Sequence, residues 1–216
     1  MIDFLFPKLH KEGYRFLAIG AVITFILLLI SNFFGFVSFI LTVWVYYFFR
    51  DPERFPINDE NYLLSPADGV ISQIIETKGP SEIGLENKKY TRVSIFMNVF
   101  NCHVNRVPSS GKITQIFYKP GKYINASLDK ASDENERNYI KMIDFNGNEL
   151  ILVQVAGLIA RRIVCEIKEN EETKQGDRFG MIRFGSRVDL YFENYQLMVQ
   201  QNQKTIGGET IIARKK

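Results

Sequence analysis

In the stretch GMIRFGSRVDLYF, Gly185 stands directly before Ser186, with strand-type alternation on both sides. Glycine has no Cβ to obstruct the approach to its carbonyl and tolerates strained backbone angles. A serine hydroxyl placed there has the local geometry to attack its own preceding carbonyl. The outcome of that attack is a chain that cuts itself and a serine converted into a carbonyl cofactor. The same dipeptide is also an ordinary turn between two strands, and with 15 glycines and 11 serines chance alone nearly supplies such a pair.

Other reactive side chains are few. Asp68 sits in SPADG, where proline, aspartate and glycine read either as a plain β-turn or as an acid or base held on a rigid turn. His103, in FNCHVNRVP, ends an apolar strand beside Asn101, Asn105 and Arg106. The other histidine is His10, so any imidazole chemistry beyond the N-terminal region must use His103. Cys102 is its neighbour, but adjacent strand residues point to opposite faces, which argues against a Cys/His pair. Arg161 and Arg162, in QVAGLIARRIV, are candidates for a phosphate or lipid headgroup, or plain surface charges. The run DENERN, Asp133 to Asn138, reads as a solvated charged loop.

The elements that must position these residues fall into two parts. FLAIGAVITFILLLI (Phe16 to Ile30) is followed by Ser31-Asn32 and then by FFGFVSFILTVWVYYFF (Phe33 to Phe49). No charge interrupts the chain between Arg15 and Arg50, and neither half shows the polar face of a soluble core helix. Each half is shorter than the roughly 20 residues that cross a bilayer. Lys8, Lys11 and Arg15 precede the region and Arg50 and Arg54 follow it, so both ends are expected on the cytoplasmic side. The expectation is a hairpin of two short helices turning at Ser31-Asn32, with one tilted span or a shallow re-entrant anchor as alternatives. Residues 1–50 form this membrane-associated segment.

Residues 51–216 are expected to form one mainly-β (α+β) domain after a polar, proline-bearing linker, RDPERFPINDENYLLSP. RVSIFMNVFNCHV, GKITQIFY, RRIVCEI, MIRF and RVDLYF read as strands, and Asn146-Gly147 predicts a type I′ hairpin turn between two strand-like runs. The formal net charge of +3 leaves no nucleic-acid footprint. Two cysteines with no CxxC pair, and two histidines, leave no metal site.

Taken in order after a hydrophobic N-terminus, FFRDPER, SPADG, FNCHVNRVPSSGKI, NERN, QVAGLIARRIV and GMIRFGSRVDLY resemble the phosphatidylserine decarboxylases, most closely their short-chain group. The resemblance runs from about Phe48 to the C-terminus. It implies a proenzyme cleaved between Gly185 and Ser186 into a β chain, 1–185, and an α chain, 186–216, which stay together as a heterodimer; a higher oligomer is left open. It implies a pyruvoyl group derived from Ser186, with no metal and no pyridoxal phosphate. It implies an aspartate that assists cleavage at Asp68. Longer relatives carry H-x-x-H-x-P; here the first position is His103 and the second is Arg106, so their cleavage triad does not transfer intact.

The implied reaction is decarboxylation of phosphatidylserine to phosphatidylethanolamine. A Schiff base between the headgroup amine and the pyruvoyl ketone provides the electron sink that a Cα carbanion needs. His103 is the residue type suited to returning a proton to Cα. Arg106, Arg161 and Arg162 are candidates for the substrate phosphate, because arginine matches its geometry. The same chemistry would serve archaetidylserine. A different class, a non-enzymatic membrane-anchored lipoyl-like β module, suits the turns but leaves Gly185-Ser186 without a purpose. A serine hydrolase is disfavoured because RFGSRV lacks the G-x-S-x-G elbow.

Overall fold

The computed structural model describes residues 6–122, 135–157, 162–183 and 186–216. By its contacts the chain divides into two units, Met1–Glu53 and Arg54–Lys216.

The first unit is built on two helices, α1 (Tyr14–Ile30) and α2 (Asn32–Phe48), in place of the expected 16–30 and 33–49. The break is a single extended residue, Ser31, at φ −160° and ψ 130°. Its N–H still donates to Leu27 O, and its carbonyl already accepts from Gly35 N. Small and hydroxylated residues line the contact between the helices. Thr24 Oγ1 meets Ser38 Oγ at 2.9 Å and Thr42 Oγ1 at 3.0 Å. Small residues let helix backbones approach, and hydroxyl pairs satisfy polar groups that lipid cannot. The outward side chains are apolar and exposed, Leu29, Ile30 and Phe33 among them. Lys11–Ile30 is long and apolar enough to cross a membrane.

The second unit holds fourteen described strands: β1 (Tyr62–Leu64), β2 (Gly69–Lys78), β3 (Lys89–Met97), β4 (Val104–Arg106), β5 (Gly111–Lys119), β6 (Arg137–Asp144), β7 (Glu149–Val155), β8 (Ile163–Cys165), β9 (Glu172–Thr173), β10 (Arg178–Ile182), β11 (Ser186–Phe192), β12 (Tyr195–Leu197), β13 (Lys204–Thr205) and β14 (Ile211–Lys215). Eight form one sheet in the order β13-β2-β3-β11-β7-β6-β5-β9. Two smaller sheets run β4-β10-β8 and β1-β14-β12. The core-facing side of the large sheet carries Val93, Ile95 and Met97 of β3, Leu150 and Leu152 of β7, and Val188 and Leu190 of β11, all fully buried. Period-two alternation sends their neighbours to the opposite face. There Tyr90, Tyr139, Ile151, Val153 and Tyr191 make a second apolar cluster.

Three details depart from expectation. The turn at Asn146-Gly147 is not type I′, because only Gly147 has a positive φ, 81°. Asp144 Oδ1 accepts from Asn146 N at 2.9 Å and from Asn148 N at 2.7 Å, which favours a three-residue loop closed by a left-handed glycine. The RVSIFMNVFNCHV run is not one strand. β3 ends at Met97, and Asn98 and Asn101 close a turn in which Asn98 N donates to Asn101 Oδ1 and Phe100 N to Asn98 Oδ1, each at 2.9 Å. The segment that read as a plain linker is pinned from Arg54 onward, Phe55 N donating to Glu209 Oε1 and Asp59 N to Gln175 Oε1.

Candidate active site

Ser186 opens β11, and its register partner on β3 is Met97. Alternation along β11 places Ser186 on the face of Val188, Leu190 and Phe192, toward the main core. Its Oγ is buried and has no hydrogen-bond partner among the described residues. Burying a hydroxyl in this way costs about 1–3 kcal/mol. Such a group calls for an explanation, and a reactive role is one. Gly185 lies outside the described residues.

The SPADG turn leads into β2 at the same end of the sheet. Val70, Phe96 and Arg187 form one row across β2, β3 and β11. Asp68, two residues before Val70, therefore leaves the sheet where Ser186 enters it, about 10 Å away across two strand spacings. Only glycine fits at position 69, since a Cβ there would lie 2.2 Å from Phe96 O. The turn is fixed from several sides: Ser65 Oγ donates to Ala67 O at 2.7 Å, Thr205 Oγ1 to the same oxygen at 3.1 Å, and Arg106 N to Pro66 O at 2.9 Å. The Asp68 carboxylate accepts two bonds from Arg54 Nη2 and one, at 2.8 Å, from Gly207 N. Rigid turns of this kind hold an acid or base in one orientation.

His103 reaches the region from the neighbouring sheet. It precedes β4, and its carbonyl accepts from Ile182 N at 3.4 Å, at the end of β10 and four residues before Ser186. The side chain is fully buried. Nδ1 lies 3.0 Å from Asn101 O. A carbonyl only accepts, so Nδ1 carries the proton and Nε2 is the basic nitrogen of the neutral ring. Cys102, at 2 % exposure, is buried beside it. Burial pushes the Cys165 thiol above its ordinary pKa, which keeps it protonated and unreactive.

A sequence profile of phosphatidylserine decarboxylase matches residues 41–213. The chain belongs to the phosphatidylserine decarboxylase family. Members of that family are carboxy-lyases. Similar relatives include the phosphatidylserine decarboxylase proenzyme of Pelagibacter ubique (strain HTCC1062), 60 % identical over 215 residues and spanning 100 % of both chains. Those of Rickettsia typhi (strain ATCC VR-144 / Wilmington) and Rickettsia prowazekii (strain Madrid E) are each 52 % identical over 211 residues, covering 97 % of this chain and 91 % of theirs.

Within this family member the arginines separate. Arg106 is buried and gives Nη1 to Gly176 O at 2.9 Å. Its stem packs on Gly208, where φ is +79° and a Cβ would stand 2.8 Å from Arg106 Cδ. The same Cβ would be 3.6 Å from that of Arg54, so Arg106 lies in the cluster around the Asp68 turn. Arg162 is exposed, and Arg161 lies outside the described residues.

The reading of DENERN as a solvated loop is overturned for Asn135–Asn138, all buried; Asp133 and Glu134 lie outside the described residues. Each described member has a tertiary partner. Asn135 Nδ2 donates to Ala156 O at 2.7 Å, Glu136 Oε1 accepts from Ile163 N at 3.2 Å, Arg137 pairs with Glu82 at 3.2 Å, and Asn138 Nδ2 donates to Gln154 Oε1 at 3.0 Å. NERN thus ties the start of β6 to the QVAGLIARRIV segment and to the inner face of the sheet. Arg54, the partner of Asp68, was also missed, although FFRDPER contained it. Its signal was only a cation in a proline-bearing segment.

Proposed function

We propose that this chain is a self-processing phosphatidylserine decarboxylase, cut between Gly185 and Ser186, with the pyruvoyl group that the relatives' proenzyme names imply formed from Ser186. The observation that carries the reading is the Ser186 hydroxyl, buried and without a hydrogen-bond partner among the described residues, at the first position of a central strand. The site fits the group. Conversion of the serine side chain replaces an orphaned hydroxyl by a methyl beside Met97, which removes the polar defect.

The chain's own residues have the following roles in this reading. Asp68, held by Arg54, or His103 through Nε2, takes the proton of Ser186 Oγ. Neither is hydrogen-bonded to Ser186 Oγ in the uncut chain, and such contacts often tighten only along the reaction. The pyruvoyl group supplies an electron sink for the charge left when the headgroup loses carbon dioxide. His103 Nε2, once it has taken up a proton, is suited to deliver the one that replaces the carboxyl. Burial keeps bulk water from competing for that position. Arg162, exposed, suits the substrate phosphate, whereas Arg106 suits holding the Asp68 turn.

The topology supports a lasting pair of fragments. Residues 186–216 contribute β11, which lies between β3 and β7 of the other fragment. β13 pairs with β2, and β14 with β1. Cutting before Ser186 leaves all of these ladders in place. The apolar helix pair and the basic residues on both of its flanks support a membrane-anchored enzyme whose catalytic unit faces the cytoplasm and meets a substrate whose tails stay in the bilayer.

Intact-mass measurement of the purified protein tests this. Two fragments are expected, with 186–216 lighter by one ammonia than the unmodified peptide. A single full-length species in membranes that decarboxylate the lipid would overturn it.

A further inference from the structure

The segment that leaves the helix pair alternates in the wrong sense for a chain bathed in water. Arg54 turns inward, its side chain 14 % exposed and bonded to Asp68. Pro56 also turns inward, onto Gly176, where a Cβ would stand 2.9 Å from Pro56 Cγ. Phe55 and Ile57 turn outward and are 83 % and 50 % exposed. An extended chain sends alternate side chains to opposite sides, so here the cation is sheltered and both apolar residues are presented. A third apolar residue joins them. Phe55 N donates to Glu209 Oε1 at 3.2 Å, and Glu209 N donates to Ile206 O at 3.2 Å, closing a turn whose Ile206 is 43 % exposed. Lys204, exposed, stands two residues before Ile206 with the buried Thr205 between them, so the two face the same way.

Scattered exposed apolar residues are ordinary, whereas a patch of them marks an interaction surface. The place of this patch in the chain names its occupant. Glu53 ends the first unit, where it pairs with Lys8 at 2.7 Å, and Asp51 N donates to Lys8 O at 2.7 Å. Phe55 follows Glu53 by two residues, a span of at most about 7 Å. These open ends of the helix pair are the ends assigned above to the cytoplasmic side of the bilayer, so chain length alone brings the patch within reach of the lipid headgroups. The patch also backs onto the candidate site. Phe55 is the neighbour of Arg54 and Ile206 the neighbour of Gly207, and Arg54 and Gly207 both donate to the Asp68 carboxylate.

We propose that Phe55, Ile57 and Ile206 insert into the headgroup layer of the bilayer, with Lys204 toward its phosphates, and so seat the Asp68 turn at the membrane surface. The inference rests on the membrane-anchored reading above. Apolar side chains gain by leaving water for the interfacial layer, and a lysine beside them buries its stem while its ammonium stays at the phosphates. Phe55 N and Asp59 N are both pinned to the β unit, at 3.2 Å and 3.3 Å, so little chain entropy is lost on insertion. The helix pair alone keeps the catalytic unit near the membrane; these three side chains select which side of that unit is turned to the lipid.

The test uses the full chain in phosphatidylcholine–phosphatidylglycerol vesicles, prepared with or without bromine near the top of the acyl chains. The sequence has one tryptophan, Trp44, within the helix pair. If bromine leaves the Trp44 emission of the wild-type chain unchanged, the membrane-anchored reading fails and the proposal with it. In a Trp44→Phe background, Phe55→Trp is expected to lose emission to the bromines. Emission unchanged by bromine there, with Trp44 quenched in the wild-type chain, overturns the proposal alone. A turnover measurement separates docking from folding. Phe55→Ser with Ile57→Ser is expected to decarboxylate phosphatidylserine in vesicles on the order of tenfold more slowly per cleaved chain, the factor that burial of one aromatic is worth. The same variant is expected to match wild type on a water-soluble short-chain phosphatidylserine. Equal loss on both substrates means that the patch serves the fold, and wild-type turnover on vesicles means that it does not dock; either overturns the proposal. If the wild-type chain decarboxylates neither substrate, the functional reading fails and the quenching result decides the docking.

Discussion

The guanidinium of Arg54 grips both oxygens of Asp68, at 3.0 Å to Oδ1 and 2.7 Å to Oδ2 from the same Nη2. The pair is largely shielded, with side chains 14 % and 15 % exposed. Asp68 also receives Gly207 N, so one carboxylate joins Arg54, near the start of the proline-bearing segment, to the loop after β13. In the proposed mechanism this pairing fixes where the carboxylate sits relative to Ser186.

Arg54→Met is therefore expected to slow self-cleavage more than it lowers stability. A misplaced catalytic group of this kind costs on the order of 10²-fold in rate. Arg54→Lys is expected to rescue only part of the loss, because the ammonium keeps the charge but is a strongly hydrated point charge on a flexible stem and is less fixed in place. Pulse-chase of the full chain measures the rate, and thermal melting of the same variants measures the fold. Wild-type cleavage in Arg54→Met would remove Asp68 positioning from the mechanism.

The strand that opens at Ser186, the SPADG turn and the apolar helix pair were all legible in the sequence, because each is set by local chemistry. The helix ends moved by only one or two residues, from 16–30 and 33–49 to Tyr14–Ile30 and Asn32–Phe48. Contacts between distant segments were not legible. Arg54 meets Asp68 across a separation of 14 residues that includes β1, and nothing in RDPER announces that. NERN misled because charged residues are normally solvated. Here Asn135 and Glu136 are buried just before β6 and Arg137 and Asn138 open it, and each finds a partner. Gln154 was the available clue: a single amide inside the apolar run LILVQVAG is a buried polar group in need of a bond.

Glu82 gives a pH-dependent prediction. Burial alone would raise its pKa. A hydrogen bond from its own backbone and one from Lys119, with the charge of Arg137, outweigh burial and bring it below the ordinary value. The folded carboxyl thus titrates below the unfolded one. Its contribution to stability is present above the unfolded glutamate value, about 4.3. It is lost as pH falls through the lower folded value. Glu82→Gln should melt below wild type at neutral pH, with the gap closing as the pH is lowered past about 4. A gap that stays constant over that range would show that the Lys119 and Arg137 contacts contribute nothing as charges.

Arg187 and Asp189 form a nearly fully buried pair on the outer face of β11, Nε to Oδ1 at 2.8 Å and Nη2 to Oδ2 at 3.0 Å. Removing one partner leaves a buried charge, so Asp189→Ala should cost about 3–5 kcal/mol. Replacing both with apolar residues of similar volume, Arg187→Met with Asp189→Leu, should recover most of that loss. Melting of the single and double variants in detergent decides it. A double variant as unstable as the single would mean that the pair contributes through more than its mutual charge.

His103 separates the two reactions assigned to this site. Its Nδ1–H is held on Asn101 O, so the ring offers Nε2 in a fixed direction. Asparagine at that position would keep a polar side chain but lose the basic nitrogen. General acid–base catalysis is typically worth about 10²–10⁴-fold. His103→Asn should therefore lower lipid decarboxylation by a factor in that range when turnover is divided by the cleaved fraction. That normalisation matters, because any slowing of self-cleavage would mimic a loss of turnover. Headspace carbon dioxide from labelled phosphatidylserine gives the numerator, and intact mass gives the denominator. Turnover per cleaved chain equal to wild type would take His103 out of proton delivery and leave it, at most, a role in cutting the chain.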